Sequence, residues 1–363
     1  MKSISISRLA IAVVGLGAAA CNRGPGSSRR AESVLAEPLP TAADTIITPF
    51  GELPVAVSIG ARKWVVVAAD HNTVVVADFA TKQFAPLGGP AQKELQHPFG
   101  AFVGGDTIYV ADWGTRRTSL WTKDGRLVGT IPAPAATRGI QPAARDAAGQ
   151  FYFEVPPMAG ADGSGNKDSI SVVRSDPSMT KFDTVARLSP VEIAEVQRNT
   201  GKRFERLING GRDQWGVRPN GRVWIARVFQ NRVNTIGAGK EHPGEDLPDP
   251  VLEMTQADRD QFIQSFPEDV RSTIEDVPFA LIKPPFEKGF QDPIGNVWLR
   301  KSRGFADSIR RYHVVDSTGL LARVFEALGR GVVNAAGTET VLMEEQFKAG
   351  VRLMEVRIPS RRP

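Results

Sequence analysis

Two short stretches set arginine around an aromatic side chain, Asp112-Trp113-Gly114-Thr115-Arg116-Arg117 and Arg227-Val228-Phe229-Gln230-Asn231-Arg232, and a third, Arg300-Lys301-Ser302-Arg303, is densely basic. An aromatic ring brings contact area at little entropic cost, and a guanidinium grips a carboxylate or phosphate through two parallel hydrogen bonds. Together they make a binding composition. The candidate ligand-binding residues are His71, Asp112, Trp113, Arg116, Arg117, Arg227, Phe229, Arg232, Arg300, Lys301 and Arg303. They favour an anionic small molecule or a protein as partner. At any single position a solvated rim arginine is the competing explanation.

Catalytic chemistry is harder to place. There is no Gly-x-Ser-x-Gly elbow, phosphate-binding loop or His-Glu-x-x-His pair. The four histidines, His71, His97, His242 and His313, are far apart in the chain, so a triad or His-rich metal site would need long-range assembly. The segment Asp162-Gly163-Ser164-Gly165-Asn166-Lys167-Asp168 has oxygen side chains at alternate positions, Asp162, Ser164, Asn166 and Asp168, as calcium loops do. The bidentate Glu of such a loop is missing, since Val173 stands at its position. A polar, Gly-rich hairpin tip gives the same letters and is the preferred reading. No catalytic residue and no cofactor is assigned.

The elements that must hold these residues recur along the chain. Each unit is a turn followed by an aromatic or apolar strand core. Its marker residues are Trp64, Tyr109, Tyr152, Trp224, Trp298 and Val341, spaced by 45, 43, 72, 74 and 43. The two long spacings are insertions of about thirty residues into a basic unit of about forty residues, the length of a four-stranded propeller blade. Asn220-Gly221 and Asp124-Gly125 suit tight hairpins that need positive φ. The Asp of Asp146-x-x-Gly149, Asp292-x-x-Gly295 and Asp316-x-x-Gly319 can bond the backbone ahead of it. The fold class expected is an all-β, six-bladed β-propeller over 44–359, with two helical insertions on one face, about 189–212 and 242–285.

Tyr109-Val110-Ala111-Asp112-Trp113-Gly114 through Leu120-Trp121-Thr122-Lys123-Asp124-Gly125 resembles the strand–turn–strand pattern of the six-bladed NHL-like propellers. Lys283-Pro284-Pro285-Phe286 before a blade resembles bacterial envelope propellers of uncharacterised function. The resemblance implies a binding scaffold and nothing sharper. With the strands of each blade labelled A to D from inner to outer, the A–B and C–D turns are short and the long segments fall on the opposite face. Pro156–Lys167 is then a B–C loop, and Ser189–Arg212 and His242–Pro285 connect blades. Ser189-Pro190-Val191-Glu192 predicts a helix start, with Ile193 and Val196 at helical spacing and Gly201 as its stop. Thr255 opens a second helix with Phe262, Ile263 and Phe266 on its apolar side, and Pro267–Ile274 suggests a third.

Residues 1–20 have the layout of a signal peptide: basic Lys2 and Arg8, an apolar Leu9–Gly17, then Ala18-Ala19-Ala20 before Cys21. This resembles a bacterial lipoprotein signal and implies lipidation at Cys21. Cys21 is the only cysteine, so no disulfide or Cys-based zinc site can form within the domain. Residues 21–43 read as a flexible linker and 360–363 as a tail. Without the signal segment the net charge of +5 falls to +3, too little to argue for nucleic acid. The expectation is a monomer in the bacterial cell envelope, held to the membrane only through its lipid and acting as a ligand- or protein-binding scaffold. The alternative is a lactonase-like propeller hydrolase or lyase with a metal in its central channel.

Overall fold

The second strand of each repeat is apolar on both faces. In Lys63-Trp64-Val65-Val66-Val67-Ala68 every residue after the lysine is buried. A strand of that kind must be covered on both sides, and neighbouring sheets stacked face to face do this. The computed structural model describes residues 34–360 apart from 43, 52, 54, 90–94, 159, 161, 199–200, 276 and 349; the signal segment, Cys21 and 361–363 lie outside the described residues.

Two strands, β1 (Ala36–Pro38) and β2 (Asp44–Thr48), precede the repeats. Blade one is β3 (Val55–Gly60), β4 (Lys63–Ala68), β5 (Thr73–Asp78) and β6 (Gln83–Pro86). Blade two is β7 (Pro98–Gly104), β8 (Thr107–Asp112), β9 (Arg117–Thr122) and β10 (Leu127–Pro132). Blade three is β11 (Ala144–Arg145), β12 (Phe151–Val155), β13 (Ile170–Ser175) and β14 (Phe182–Leu188). A separate hairpin follows, β15 (Ile193–Arg198) with β16 (Gly201–Arg206). Blade four is β17 (Gln214–Val217), β18 (Val223–Arg227), β19 (Arg232–Gly237) and β20 (Lys240–His242). After it come α1 (Gln256–Gln264) and α2 (Glu268–Glu275). Blade five is β21 (Phe286–Gln291), β22 (Val297–Lys301), β23 (Arg310–Val315) and β24 (Leu321–Ala327). Blade six is β25 (Val332–Ala336), β26 (Thr340–Phe347) and β27 (Gly350–Arg357), completed by β2.

The six marker residues all fall on second strands and are all buried. In blades three and five their polar tips are tied to the turn before them. The Tyr152 hydroxyl donates to Asp146 Oδ2 at 3.0 Å, and Trp298 Nε1 donates to Asp292 Oδ2 at 3.1 Å. The other oxygen of each carboxylate accepts the backbone N–H four residues on, Gln150 at 2.9 Å and Asn296 at 2.8 Å. Each of these Asp-x-x-Gly turns thus fixes its own backbone and the aromatic that packs between blades. The glycines hold φ of +85° at Gly149 and +92° at Gly295, where a Cβ is disfavoured.

The ring closes through a strand from before the repeats. β2 runs antiparallel to β27, with Ile46 opposite Leu353 and Ile47 opposite Arg352. Ile46 is buried in the cluster that joins blades six and one, with Trp64, Leu342 and Leu353. Asp44 extends the seam by pairing with Arg62 at 2.5 Å and Lys82 at 2.9 Å of blade one. The stretch 21–43 is not linker throughout. β1 adds a fifth strand to blade five, parallel to β24, and Glu37 takes two hydrogen bonds from Arg323 at 3.0 and 2.7 Å.

The insertions are on the expected connections, but only the second is helical. Ile193 and Val196, read as one face of a helix, lie on a strand. Glu192 does not cap a helix; its Oε2 accepts Gly211 N at 2.7 Å. The segment Gly201–Arg206 supplies a paired strand with complementary charges: Arg198 bonds Glu205 twice, at 2.8 and 2.6 Å, and Lys202 meets Glu195 at 2.6 Å. In the second insertion Thr255 caps α1 reciprocally with Asp258, and Phe262 packs edge-on to Phe266 and Phe279 at 5.2 and 5.6 Å. α2 occupies the place expected of the third helix.

Candidate functional site

The first strands of all six blades surround a central channel of about 750 Å³. Most of its wall is apolar: Val55, Val57, Ala101, Phe102, Val103, Trp215, Val217, Phe290 and Ala335. Inner strands approach closely, and a Cβ on Gly289 of β21 would lie 2.9 Å from Cβ of Gln214 on β17. The lining runs from Lys288 and Asn334 at one end to Gly105, Asp146, Pro219 and Pro293 at the end bearing the A–B turns.

Lys288 Nζ donates to Asn334 Oδ1 at 3.3 Å, across the seam between blades five and six. Behind them on β26, Glu344 has a carboxylate oxygen, Oε1, shielded from solvent and without a hydrogen bond. Burial pushes the Glu344 carboxyl up to about 7, against the opposing pull of Lys288, Asn334 and Arg300. Burial, with Arg300 adding to it, brings the Lys288 ammonium down to about 8. Arg300 itself pairs with Glu287 at 3.0 Å. The channel therefore carries an amphipathic surface, apolar along its length and ionisable at one end.

None of the eleven residues singled out in the sequence lines this channel. They lie around the face that carries the B–C loops and blade-to-blade connections, here the loop face. His71 stacks edge-on to Phe50 at 5.1 Å and pairs with Asp70 at 3.0 Å. The Arg116 guanidinium lies over the Trp113 ring at 5.5 Å, and Arg117 opens β9 beside them. Asp112 is buried, and its carboxylate accepts the N–H groups of Gln96, His97 and Thr115 at 2.7, 3.1 and 3.0 Å. In blade four Phe229 is exposed, between Arg227, which pairs with Asp213 at 2.8 Å and Glu241 at 2.7 Å, and Arg232, which pairs with Asp246 at 2.6 Å. In blade five Lys301 is buried against Asp249 at 2.6 Å and Asn231 at 3.0 Å, while the Arg303 side chain bonds the Asp307 carbonyl. The structure thus brings Trp113 and Arg116 together and commits Asp112, Arg227 and Lys301 to internal partners.

The calcium-like loop closes on itself and on the hairpin. Ser164–Lys167 is a single turn of 3-10 helix, Asp162 Oδ1 accepts Ser164 N at 3.0 Å, and the Asp162 carbonyl accepts Phe204 N at 2.8 Å. The Lys167 ammonium sits 3.6 Å from the centre of the Phe204 ring. Among the described residues no group of three or more His, Cys, Asp and Glu is placed to hold a metal ion.

Lys288, Asn334 and Glu344 escaped the sequence reading. Their one visible signal is a lysine inside a strand otherwise expected to line an apolar channel. The rest is topology, which brings residues from three strands of two blades to one point.

No family model matches the sequence, and no curated protein matches it. Among solved structures, the chain is similar to a member of the DUF4221 family from Bacteroides vulgatus at 11% identity, over 91% of this chain and 98% of that one, with a TM-score of 0.49. It is similar to the calcium-binding protein regucalcin from Agrobacterium tumefaciens at 11% identity, over 90% and 98%, with a TM-score of 0.41. It is likewise similar to streptogramin B lyase at 11% identity, over 88% and 89%, also with a TM-score of 0.41.

Proposed function

We propose that the chain is a cell-envelope propeller, exported by the segment 1–20 and held by a lipid on Cys21, that presents its loop face to a protein partner. The observation that carries this reading is the one-sided placement of exposed apolar side chains. Phe99, Trp113, Met158, Phe229, Phe305 and Phe347, contributed by blades two to six, are exposed at loop-face positions. On the turn face the corresponding exposed residues are Ile294 and Leu320. Aromatic anchors with arginines beside them, as at Trp113 and Arg116, are the composition of protein-binding hot spots. The donor set of the channel speaks against the metal-dependent alternative. Its carboxylates, Asp146 and Asp292, are each bonded within their own turn, and a cation at the far end would meet the Lys288 ammonium.

The test is site-specific photocrosslinking in envelope fractions. A crosslinker at Trp113 and one at Phe229 are expected to yield the same protein adduct, and one at Ile294 none. Trp113→Ala and Phe229→Ala are each expected to weaken capture of that adduct about tenfold or more. Adducts of equal yield from all three positions, or adducts with lipid alone, would overturn the reading.

A further inference from the structure

We propose that the channel between the blades binds a small organic carboxylate with an apolar body, its head group held by Lys288 and Asn334. The Lys288 end is the one away from the A–B turns, at the loop face, so a partner docked there would cover its mouth, and the experiment uses the domain alone.

The dimensions fit. A cavity of about 750 Å³ is in the range that encloses a small ligand, and such sites are mostly apolar with a few placed polar groups. Here the apolar wall is Val55, Val57, Ala101, Phe102, Trp215 and Phe290, on inner strands of four blades. At one end Lys288 offers an ammonium, and Asn334, whose Oδ1 accepts from Lys288 and whose amide N–H₂ bonds Glu344 with one hydrogen, has a second amide hydrogen to donate. Both donors suit a carboxylate. The lining's arginine, Arg145, is occupied at the opposite end: its Nε donates to the Gly149 carbonyl, and its guanidinium lies 5.8 Å from the Tyr109 ring and 5.3 Å from the Phe151 ring. The channel is therefore polarised along its axis, with an ammonium and an amide donor side by side at the Lys288 end.

Glu344 sets the pH range. The charged groups that bear on it are Lys288 on β21 and Arg300 on β22, and Arg300 is partly neutralised by Glu287. Near pH 6 the Glu344 carboxyl is protonated and Lys288 is charged, so the site is net positive. As pH rises through about 7 Glu344 ionises and competes for Lys288, and through about 8 Lys288 loses its proton. Both steps weaken a bound carboxylate, so its affinity falls from pH 6 to pH 9. A neutral ligand of the same shape is indifferent to both.

The experiment is calorimetry on the folded domain with 4-phenylbutyrate and its neutral amide, 4-phenylbutyramide. The carboxylate is expected to bind at least about tenfold more tightly than the amide at pH 6, and less than about threefold more tightly at pH 9. Lys288→Met should abolish the preference while the amide still binds, and Glu344→Gln should keep it and move its loss to higher pH. Where Lys288→Met fails to fold, Asn334→Asp supplies the check: a second carboxylate beside Lys288 should repel the ligand. Arg145→Met should leave the preference intact. Equal binding of the two compounds, no binding of either, or a preference that follows Arg145 instead of Lys288 would overturn the proposal.

Discussion

Glu344 and Lys288 shape the pH dependence of stability as well as the chemistry of the channel. The Glu344 carboxyl is raised from its ordinary 4.5 to about 7. A carboxyl whose folded value is raised favours folding while protonated, and that contribution is lost as pH rises from the ordinary value through the folded one. Lys288, lowered from 10.5 to about 8, acts in the opposite sense: its stabilising share is present at high pH and lost as pH falls through about 8. Wild-type protein is therefore expected to lose stability between about pH 4.5 and pH 7.5 from Glu344. Glu344→Gln, which keeps the shape and cannot ionise, should match the wild type at about pH 4.5. At about pH 7.5 it should melt about 2 °C higher, the shift that about 1 kcal/mol produces in a domain of this size or a little smaller. Thermal melts at the two pH values decide it; an equal difference at both would show that ionisation of Glu344 is not what matters. The sequence could not announce this pair, because neither residue has a neighbour of its own kind at a telling spacing. Phe229 and Trp113, by contrast, were readable as surface aromatics because loop position follows from the repeat.

At the scale of elements, the long connection into blade five is fastened by a buried polar clamp. Asp249 pairs with Lys301 at 2.6 Å, and Asn231 bridges both, donating to Asp249 at 2.9 Å and to the Leu247 carbonyl at 3.0 Å while accepting from Lys301. His313 lies 3.7 Å away, and burial holds its imidazole down to about 4, so it stays neutral beside the ion pair in ordinary buffers. Breaking a buried pair leaves a charge without its partner, at a cost of about 3–5 kcal/mol. Asp249→Ala is therefore expected to lower the melting temperature and raise amide exchange across 242–285. Asp246→Ala, which removes an exposed partner of Arg232, should do neither. Equal effects of the two would show that the clamp does not hold the insertion. Helix α1 was legible from the Thr255 cap and the Phe262 spacing, and α2 from the segment Pro267–Ile274. The hairpin β15–β16 was not. Ile193 and Val196 satisfy a helical period, but the segment pairs as a strand, and the choice is made by Gly201–Arg206, whose charges match across the two strands.

For the whole molecule the governing fact is that a ring has no spare edge. Trp64, Tyr109, Tyr152, Trp224, Trp298 and Val341 revealed the number of blades because a second strand covered on both sides must be apolar throughout. Blade six has three strands in sequence, β25 to β27, and Asp44–Thr48 pairs with the last of them as its fourth. What composition could not show is β1, three residues long and polar at Glu37, which lies in a stretch rich in proline and alanine. The two strands are expected to contribute unequally. Removing residues through Pro40 takes away β1 and the Glu37–Arg323 pair, a partly exposed contact of small worth. It should lower the melting temperature by about 2 °C or less. Removing residues through Pro49 also takes away β2. That unpairs the edge of β27, uncovers the pocket of Ile46, and breaks the Thr48 Oγ1 bond to the Val351 carbonyl at 3.1 Å and the Asp44 pairs that tie blade six to blade one. Burial of one isoleucine with its ladder bonds is worth about 3 kcal/mol or more. The shorter chain should therefore melt at least about 6 °C lower and self-associate through the bare edge. Melting curves and size-exclusion chromatography on the two truncations provide the comparison. Unchanged melting of the chain starting at Phe50 would mean that the ring is held by its blade faces alone, and that β2 covers an edge without closing the circle.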